Sequence, residues 1–245
     1  MKDERLIFEM RQLTLTDDLI LTPRVESHEE SDGLMKRLRE RGIIIGTDEA
    51  GRGALAGPVV AAAVYLTPEQ EHELLSMKLR DSKLMTPSGR ERLFTAMNEM
   101  GVMWRAYMGS VERIERDNVL WASLWTMKMC VERLSHALEN EPVCVIVDGN
   151  ERIPDMKYPQ WVLIQADKFI PSVSAASVIA KVLRDRLMMK LDAKYPGYNF
   201  KKNKGYPTMQ HMETIRDIGI TEIHRESFCR KILNDRRSKI KYAAD

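Results

Sequence analysis

The chain's 245 residues suffice for one substantial core, and 44% hydrophobic with 30% charged residues predicts an ordinary soluble globular protein. Cys130, Cys144 and Cys229 are widely spaced and odd in number, which argues against a disulfide framework or zinc site and fits a reducing cytoplasm; no stretch reaches the ~20 apolar residues of a membrane span or resembles a secretory leader. The formal net charge is +2, yet residues 1–40 hold 7 Lys/Arg against 10 Asp/Glu (−3) and residues 181–245 hold 16 against 8 (+8), so positive charge gathers in the C-terminal third.

Residues 1–33 lack sustained periodicity and contain the acidic stretch from Glu26 to Asp32, predicting a loosely structured extension. Leu34 to Arg41 predicts a short helix stopped by Gly42, which places a boundary between an extension, 1–41, and a main domain, 42–245. The stretch from Ile43 to Arg52 then reads Ile-Ile-Ile-Gly-Thr-Asp-Glu-Ala-Gly-Arg. Its apolar start predicts a strand covered on both faces, with Asp48 and Glu49 at the tip. Side chains alternate along a strand, so the two acids converge only if the backbone bends near Glu49, which Gly51 and Gly53 permit. Pro58 to Leu66 predicts a second strand, small enough in its side chains for close packing. Asp81-Ser82-Lys83 lies in a polar segment. Thr86 caps a helix running from Pro87 to Met100, and Met103 to Met108 is a third strand.

From Ile114 to Leu138 the apolar residues Ile114, Trp121, Leu124, Trp125, Leu134 and Leu138 recur near the helical period, predicting one long amphipathic helix with its tryptophans in the core. Val143 to Asp148 is another continuous apolar strand ending in Asp-Gly. Trp161 to Ile164 repeats that grammar and leads to Asp167. A helix from Ser174 to Leu191 follows, with Ile179, Leu183 and Leu187 on one face and Lys181, Arg184 and Arg186 on another. Three early strands followed by alternating helices and strands indicate an α/β protein whose carboxylates cluster at strand ends. An isolated Asp at such a position is ordinarily a turn residue or a cap; several in one chain point elsewhere. Clustered carboxylates repel one another, and an oxygen-only ligand set without Cys or His motifs favours Mg²⁺ or Mn²⁺. A basic region beside such a cluster is what a phosphodiester enzyme requires.

Gly46-Thr-Asp-Glu-Ala-Gly-Arg-Gly53, Asp81-Ser-Lys83, Val147-Asp-Gly149, and Ala166-Asp167 followed by the helix from Ser174 to Arg186 resemble the successive motifs of the ribonuclease HII family, the type 2 ribonucleases H. Gly205-Tyr-Pro-Thr208 with His211, and His224-Arg-Glu-Ser-Phe228, extend the resemblance to about residues 42–230. It implies a ribonuclease H-like mixed central sheet flanked by helices, with a helical C-terminal region. It also implies a metal-dependent endoribonuclease that cleaves the RNA strand of RNA/DNA hybrids and nicks 5′ of single ribonucleotides in duplex DNA, leaving 3′-hydroxyl and 5′-phosphate ends. Such an enzyme removes ribonucleotides from DNA and RNA primers. By the same resemblance Asp48, Glu49, Asp148 and Asp167 are the catalytic and metal-binding acids, for two Mg²⁺ or Mn²⁺ ions. The backbone of Gly51, Arg52 and Gly53 reads the ribose 2′-hydroxyl, Tyr206 stacks on the sugar at the RNA-to-DNA junction, and Lys83 contacts a phosphate. Arg184, Asp185 and Arg186 support the site through ion pairs, His224 to Phe228 packs the C-terminal segment, and the protein is a monomer.

Ala166 stands where bacterial members often have glycine, and Met209 where lysine is common, which removes one phosphate contact but leaves the four acids untouched. The glycine-arginine-glycine loop, Tyr206 and an Asp as fourth acid favour type 2 over type 3, whose separate N-terminal substrate-binding domain is longer than the forty-residue extension. Two rival readings make different predictions: a noncatalytic nucleic-acid binder would hold duplex without turnover, and a small-substrate phosphatase would have no use for Tyr206 or the basic third.

Overall fold

Isoleucines 44 and 45 have no polar face to offer, and they take the most enclosed position a sheet provides. The strand they begin, β1 (Ile44–Ala50), is the middle of five in the order β3-β2-β1-β4-β5. In this computed structural model, which describes residues 33, 35–36, 38–40, 42–79, 85–139 and 144–242, with side chains through residue 234, β1 pairs antiparallel with β2 (Val59–Tyr65) and parallel with β4 (Cys144–Asp148). On the edges, β3 (Met103–Gly109) pairs antiparallel with β2, and β5 (Gln160–Leu163) pairs parallel with β4. The expected mixed sheet flanked by helices is therefore present. Lys83 and its neighbours Asp81 and Ser82 lie outside the described residues. Of the short helix expected at 34–41, residues 33, 35, 36, 38 and 39 are helical, and Met35 and Leu38 are buried against Ile44 and Ile146.

Period-2 alternation divides the core in two. Ile45, Val145 and Val147 pack with Leu124, Met127 and Leu134 under α4 (Val119–Leu138), while Ala50, Ala62 and Val64 meet Ala175, Ala176 and Ile179 of α5 (Pro171–Lys194). Gly46 lies so close to α5 that a Cβ there would stand 2.5 Å from the backbone of Ser172 and Val173, so only glycine permits this approach. The remaining helices complete the layers. They are α1 (Pro68–Ser76), α2 (Pro87–Glu99), α3 (Val111–Asp117), and the C-terminal trio α6 (Phe200–Asn203), α7 (Met209–Ile218) and α8 (Glu226–Tyr242). Thr86 caps α2 as expected, accepting from the Gly89 amide at 3.1 Å. All three cysteines are free and buried. Among the described residues no helix is long and apolar enough to cross a membrane.

Two expectations fail here, each for a local reason. The backbone does not bend near Glu49: β1 stays paired through Glu49 and Ala50, opposite Ala61 and Val60, and the turn comes at Gly51, whose φ is 102°. The long helix expected from Ile114 to Leu138 is two, α3 and α4, broken at Asn118. Asn118 adopts φ 64°, and its side-chain oxygen accepts from the amides of Leu120 and Trp121, so it stops one helix and starts the next. The break shifts the helical phase. Trp121 is 50% exposed rather than core, and Trp125 is half-buried beneath the Arg113 guanidinium, 3.6 Å from its ring centroid. Asn118→Ala, which loses the cap and strains a positive φ, should cost about 2 kcal/mol in urea unfolding. Asn118→Gly tolerates that φ and should cost less than about half as much.

Candidate active site

The sheet's register builds the acidic cluster. Because β1 and β4 are parallel with Thr47 opposite Val147, the next residues along, Asp48 and Asp148, stand side by side at adjacent strand ends on the α5 face. Asp48 is only 4% exposed. Its Oδ1 accepts from the Glu49 amide at 2.7 Å, and the Ser177 hydroxyl on α5 supplies a further hydrogen bond. Asp148 lies opposite Leu163 of β5, and its Oδ1 accepts from the Ala166 amide at 2.7 Å. That bond draws in the 3₁₀ turn Ala166–Lys168, entered through Gln165 at φ 61°, and with it the buried Asp167. The Asp167 carbonyl accepts from the Ser174 hydroxyl, which fastens the turn to the start of α5. Glu49 follows directly in the strand, with its Oε1 3.4 Å from Arg52 Nη1 and its charge acting on Asp48.

Burial raises the Asp48 carboxyl well above its ordinary value, and the charges of Glu49 and Asp148 raise it further; the Ser177 hydroxyl and the Glu49 amide offset only part of this. Among the described residues, no three His, Cys, Asp or Glu side chains stand close enough to enclose one ion. Asp48 and Asp148 each accept from a backbone amide, and Glu49 lies against Arg52. The donor set nevertheless fits a hard divalent cation. It is made of carboxylate oxygens only, and the repulsion of Asp48 by Glu49 and Asp148 is what a bound cation would relieve.

Beside the acids, the Gly51–Gly53 turn opens a loop that is held from within. Arg184 donates to the carbonyls of Ala56 (3.0 Å), Pro58 (3.1 Å) and Lys204 (2.9 Å), and Arg225 donates to those of Arg52 (2.8 Å) and Gly57 (2.8 and 3.0 Å). Both arginines are 0% exposed. The Gly205 carbonyl accepts from the amides of Leu55 and Ala56, so the segment carrying Tyr206 is bonded directly to this loop. Contact is tight enough to demand glycine: a Cβ on Gly51 would lie 2.1 Å from Arg184 Nε, and one on Gly205 2.4 Å from the Ala56 carbonyl. A Cβ on Gly53, in contrast, would meet nothing within 4 Å. Tyr206 is half-buried, with the Lys181 ammonium and the Arg184 guanidinium each 5.1 Å from its ring centroid.

The expected polar face of α5 is thus corrected at Arg184, which is enclosed because its planar fork finds three carbonyls far away in the chain. Arg184 directs its donors to these carbonyls, whereas its neighbours form ion pairs. Asp185 meets Lys181 (2.7 Å) and Arg90 (3.9 Å), and Arg186 meets Glu91 (2.5 Å). Sequence reasoning missed Ser177 as a partner of Asp48, although Ser174 and Ser177 recur three apart on one helix face. It placed Arg225 in a packing motif without its bonds to the loop. Met209, where lysine was expected, is 66% exposed on α7.

The family model described as Ribonuclease HII matches residues 45–231. Ribonuclease HII of Acaryochloris marina is 42% identical over 185 residues, 76% of this chain and 91% of the relative. Ribonuclease HII of Caldicellulosiruptor saccharolyticus is 43% identical over 190 residues, 78% of this chain and 88% of that one. The crystal structure of ribonuclease H2 from Pyrococcus horikoshii superposes with a TM-score of 0.64 at 27% identity, covering 80% of this chain and 99% of the other.

Proposed function

Because this chain belongs to the ribonuclease HII family and is a ribonuclease H enzyme, we propose that it nicks duplex DNA on the 5′ side of a single ribonucleotide and cleaves the RNA strand of RNA/DNA hybrids, leaving 3′-hydroxyl and 5′-phosphate ends. The observation that carries this reading is the adjacency of two features. Asp48 and Asp148 share one end of the sheet, and the loop that begins three residues after Asp48 is held rigid by two buried arginines.

Asp48, Glu49, Asp148 and Asp167 would hold the divalent ions, Mg²⁺ or Mn²⁺, two during catalysis. When bound, these supply Lewis-acid chemistry, activating a water and stabilising the departing 3′-oxygen. The protein's own part is to place the sugar. The backbone from Gly51 to Gly53 reads the 2′-hydroxyl, the group by which RNA differs from DNA. Since the carbonyls of this loop are occupied from the inside by Arg184 and Arg225, its backbone geometry is set before substrate arrives, and little ordering entropy remains to be lost. The open space over Gly53 gives the ribose room to approach. Tyr206, bonded to the same loop through Gly205, would stack on the sugar at the RNA-to-DNA junction, and Lys83 would contact a phosphate.

Lys190 near the end of α5, Lys201 and Lys202 on α6, and Arg230 and Lys231 on α8 are exposed, a positive surface suited to the duplex backbone. Residues 42–245 would form the catalytic domain and 1–41 an extension, in a monomeric cytoplasmic enzyme that removes ribonucleotides from DNA and RNA primers. Metal dependence tests the site directly. Cleavage of a one-ribonucleotide duplex should require Mg²⁺ or Mn²⁺ and stop when EDTA is added in excess; undiminished cleavage in EDTA would overturn the role given to the four acids.

A further inference from the structure

His211 and His224 come from two separate motifs, and neither belongs to the acidic cluster. Both are buried, at 0% and 3% exposure, and their rings pack with those of Tyr198 and Phe200. Their Nε2 atoms lie 3.2 Å apart. Each outer nitrogen meets a backbone group: His224 Nδ1 lies 3.0 Å from the Thr221 amide, and His211 Nδ1 lies 2.9 Å from the Tyr206 carbonyl.

These two backbone groups determine the protons on both rings. An amide can only donate, so His224 Nδ1 accepts from it, the Thr221 hydroxyl 2.9 Å away donates to the same nitrogen, and His224 carries its proton on Nε2. A carbonyl can only accept, so His211 carries its proton on Nδ1. His211 Nε2 is then bare, and it accepts from His224 Nε2. The result is a one-way chain, from the Thr221 N–H to His224, from His224 to His211, and from His211 to the Tyr206 carbonyl. Both imidazoles must be neutral for the chain to be intact. Burial holds His211 below its ordinary value, and burial together with the neighbouring ring brings His224 down to about 4. The same carbonyl also accepts from the Thr208 amide at 2.8 Å, and the Tyr206 amide donates to the Asn203 carbonyl at 2.9 Å. Pro207 follows, so the peptide plane on which the Tyr206 ring depends is held from both sides.

We propose that His211 and His224 are positioning residues for Tyr206: the chain of hydrogen bonds that starts at Thr221 sets the peptide from which the Tyr206 ring projects toward the sugar. This rests on the reading of Tyr206 as the sugar platform. A merely structural histidine pair would instead affect stability and all substrates alike, independently of the Tyr206 side chain.

A double-mutant cycle separates these possibilities. Replacing Tyr206 by Ala removes the ring but leaves its carbonyl in place, so the cycle isolates what His211 does through that ring. His211→Leu should lower kcat/KM on the one-ribonucleotide duplex roughly tenfold in the native background, and by less than about twofold in the Tyr206→Ala background. All proteins would be assayed well below their melting temperatures. His211→Asn, whose side-chain N–H falls near the position of Nδ1, should retain most of the activity that His211→Leu loses. Equal losses from His211→Leu in both backgrounds, or a loss in His211→Asn as large as in His211→Leu, would overturn the proposal while leaving the sugar platform standing. A Tyr206→Ala variant with unchanged kcat/KM would overturn the platform reading, and the proposal with it.

Discussion

Replacing Asp48 by Asn should reduce cleavage by roughly 10³-fold or more, while making the metal-free protein more stable at neutral pH. On the proposed metal-binding role of Asp48, the loss follows from removing an anionic ligand from a site where transition-state charge stabilisation would amount to several kcal/mol, about 1.4 kcal/mol for each tenfold in rate. The gain follows from the electrostatics of the fold. Asp48 is buried beside Glu49 and Asp148, and its carboxyl sits above its ordinary value of 3.8. A raised folded value means that the folded state holds this proton more tightly than the unfolded one. The contribution to stability is therefore fully present below pH 3.8 and is lost as pH rises through the folded value. Urea unfolding in EDTA across this range should show wild type losing stability relative to Asp48→Asn as pH increases. Added Mg²⁺ should raise the melting temperature of wild type more than that of the variant, because binding to the folded state alone stabilises it. Parallel pH profiles together with equal Mg²⁺ responses would remove Asp48 from the metal site.

The largest loss of stability is expected from Arg184→Ala. Its guanidinium is fully buried and satisfies the carbonyls of Ala56, Pro58 and Lys204, so truncation strands three acceptors and opens a cavity. We expect a cost of about 3–5 kcal/mol in urea unfolding. Arg184→Lys should recover little of it, since an ammonium cannot reproduce a planar fork that reaches carbonyls in several directions. Arg225 beside it would not compensate. Burial and the Arg184 charge already pull Arg225 down to about 9, and its own donors are committed to Arg52 and Gly57. A cost below about 1 kcal/mol for Arg184→Ala would show that the loop does not depend on this clamp.

What could be read in the sequence follows the range of the interactions involved. β1 was legible because Ile43 to Gly46 is a short apolar run with no polar side, and such a run has few places to go other than the centre of a sheet. The cap at Thr86 was legible because a capping residue acts within one turn. The break at Asn118 was not, since an asparagine inside a periodic stretch resembles an ordinary solvent-facing position until its φ is known, and the misjudged exposure of Trp121 followed from it. The continuation of β1 past Glu49 depends on pairing with β2, a contact no local pattern expresses. Arg184 was the most deceptive residue. Its spacing from Lys181 suggested a charged surface face, but its partners lie as much as 128 positions away. In the candidate site, the acids were visible one by one as strand-terminal residues. Their adjacency required the parallel register of β1 and β4, and the rigidity of the neighbouring loop required two arginines from distant parts of the chain.

Metal binding and sugar recognition would thus share one uninterrupted stretch from Asp48 to Gly53, with the acids supplied by the sheet and the reader by the clamped turn. The most direct test compares two duplexes of identical sequence, one carrying a single ribonucleotide and the other entirely DNA, in Mg²⁺ with the product ends mapped. The prediction is one nick on the 5′ side of the ribonucleotide, with 3′-hydroxyl and 5′-phosphate ends, and no cleavage of the all-DNA duplex. Equal cleavage of both duplexes would contradict it.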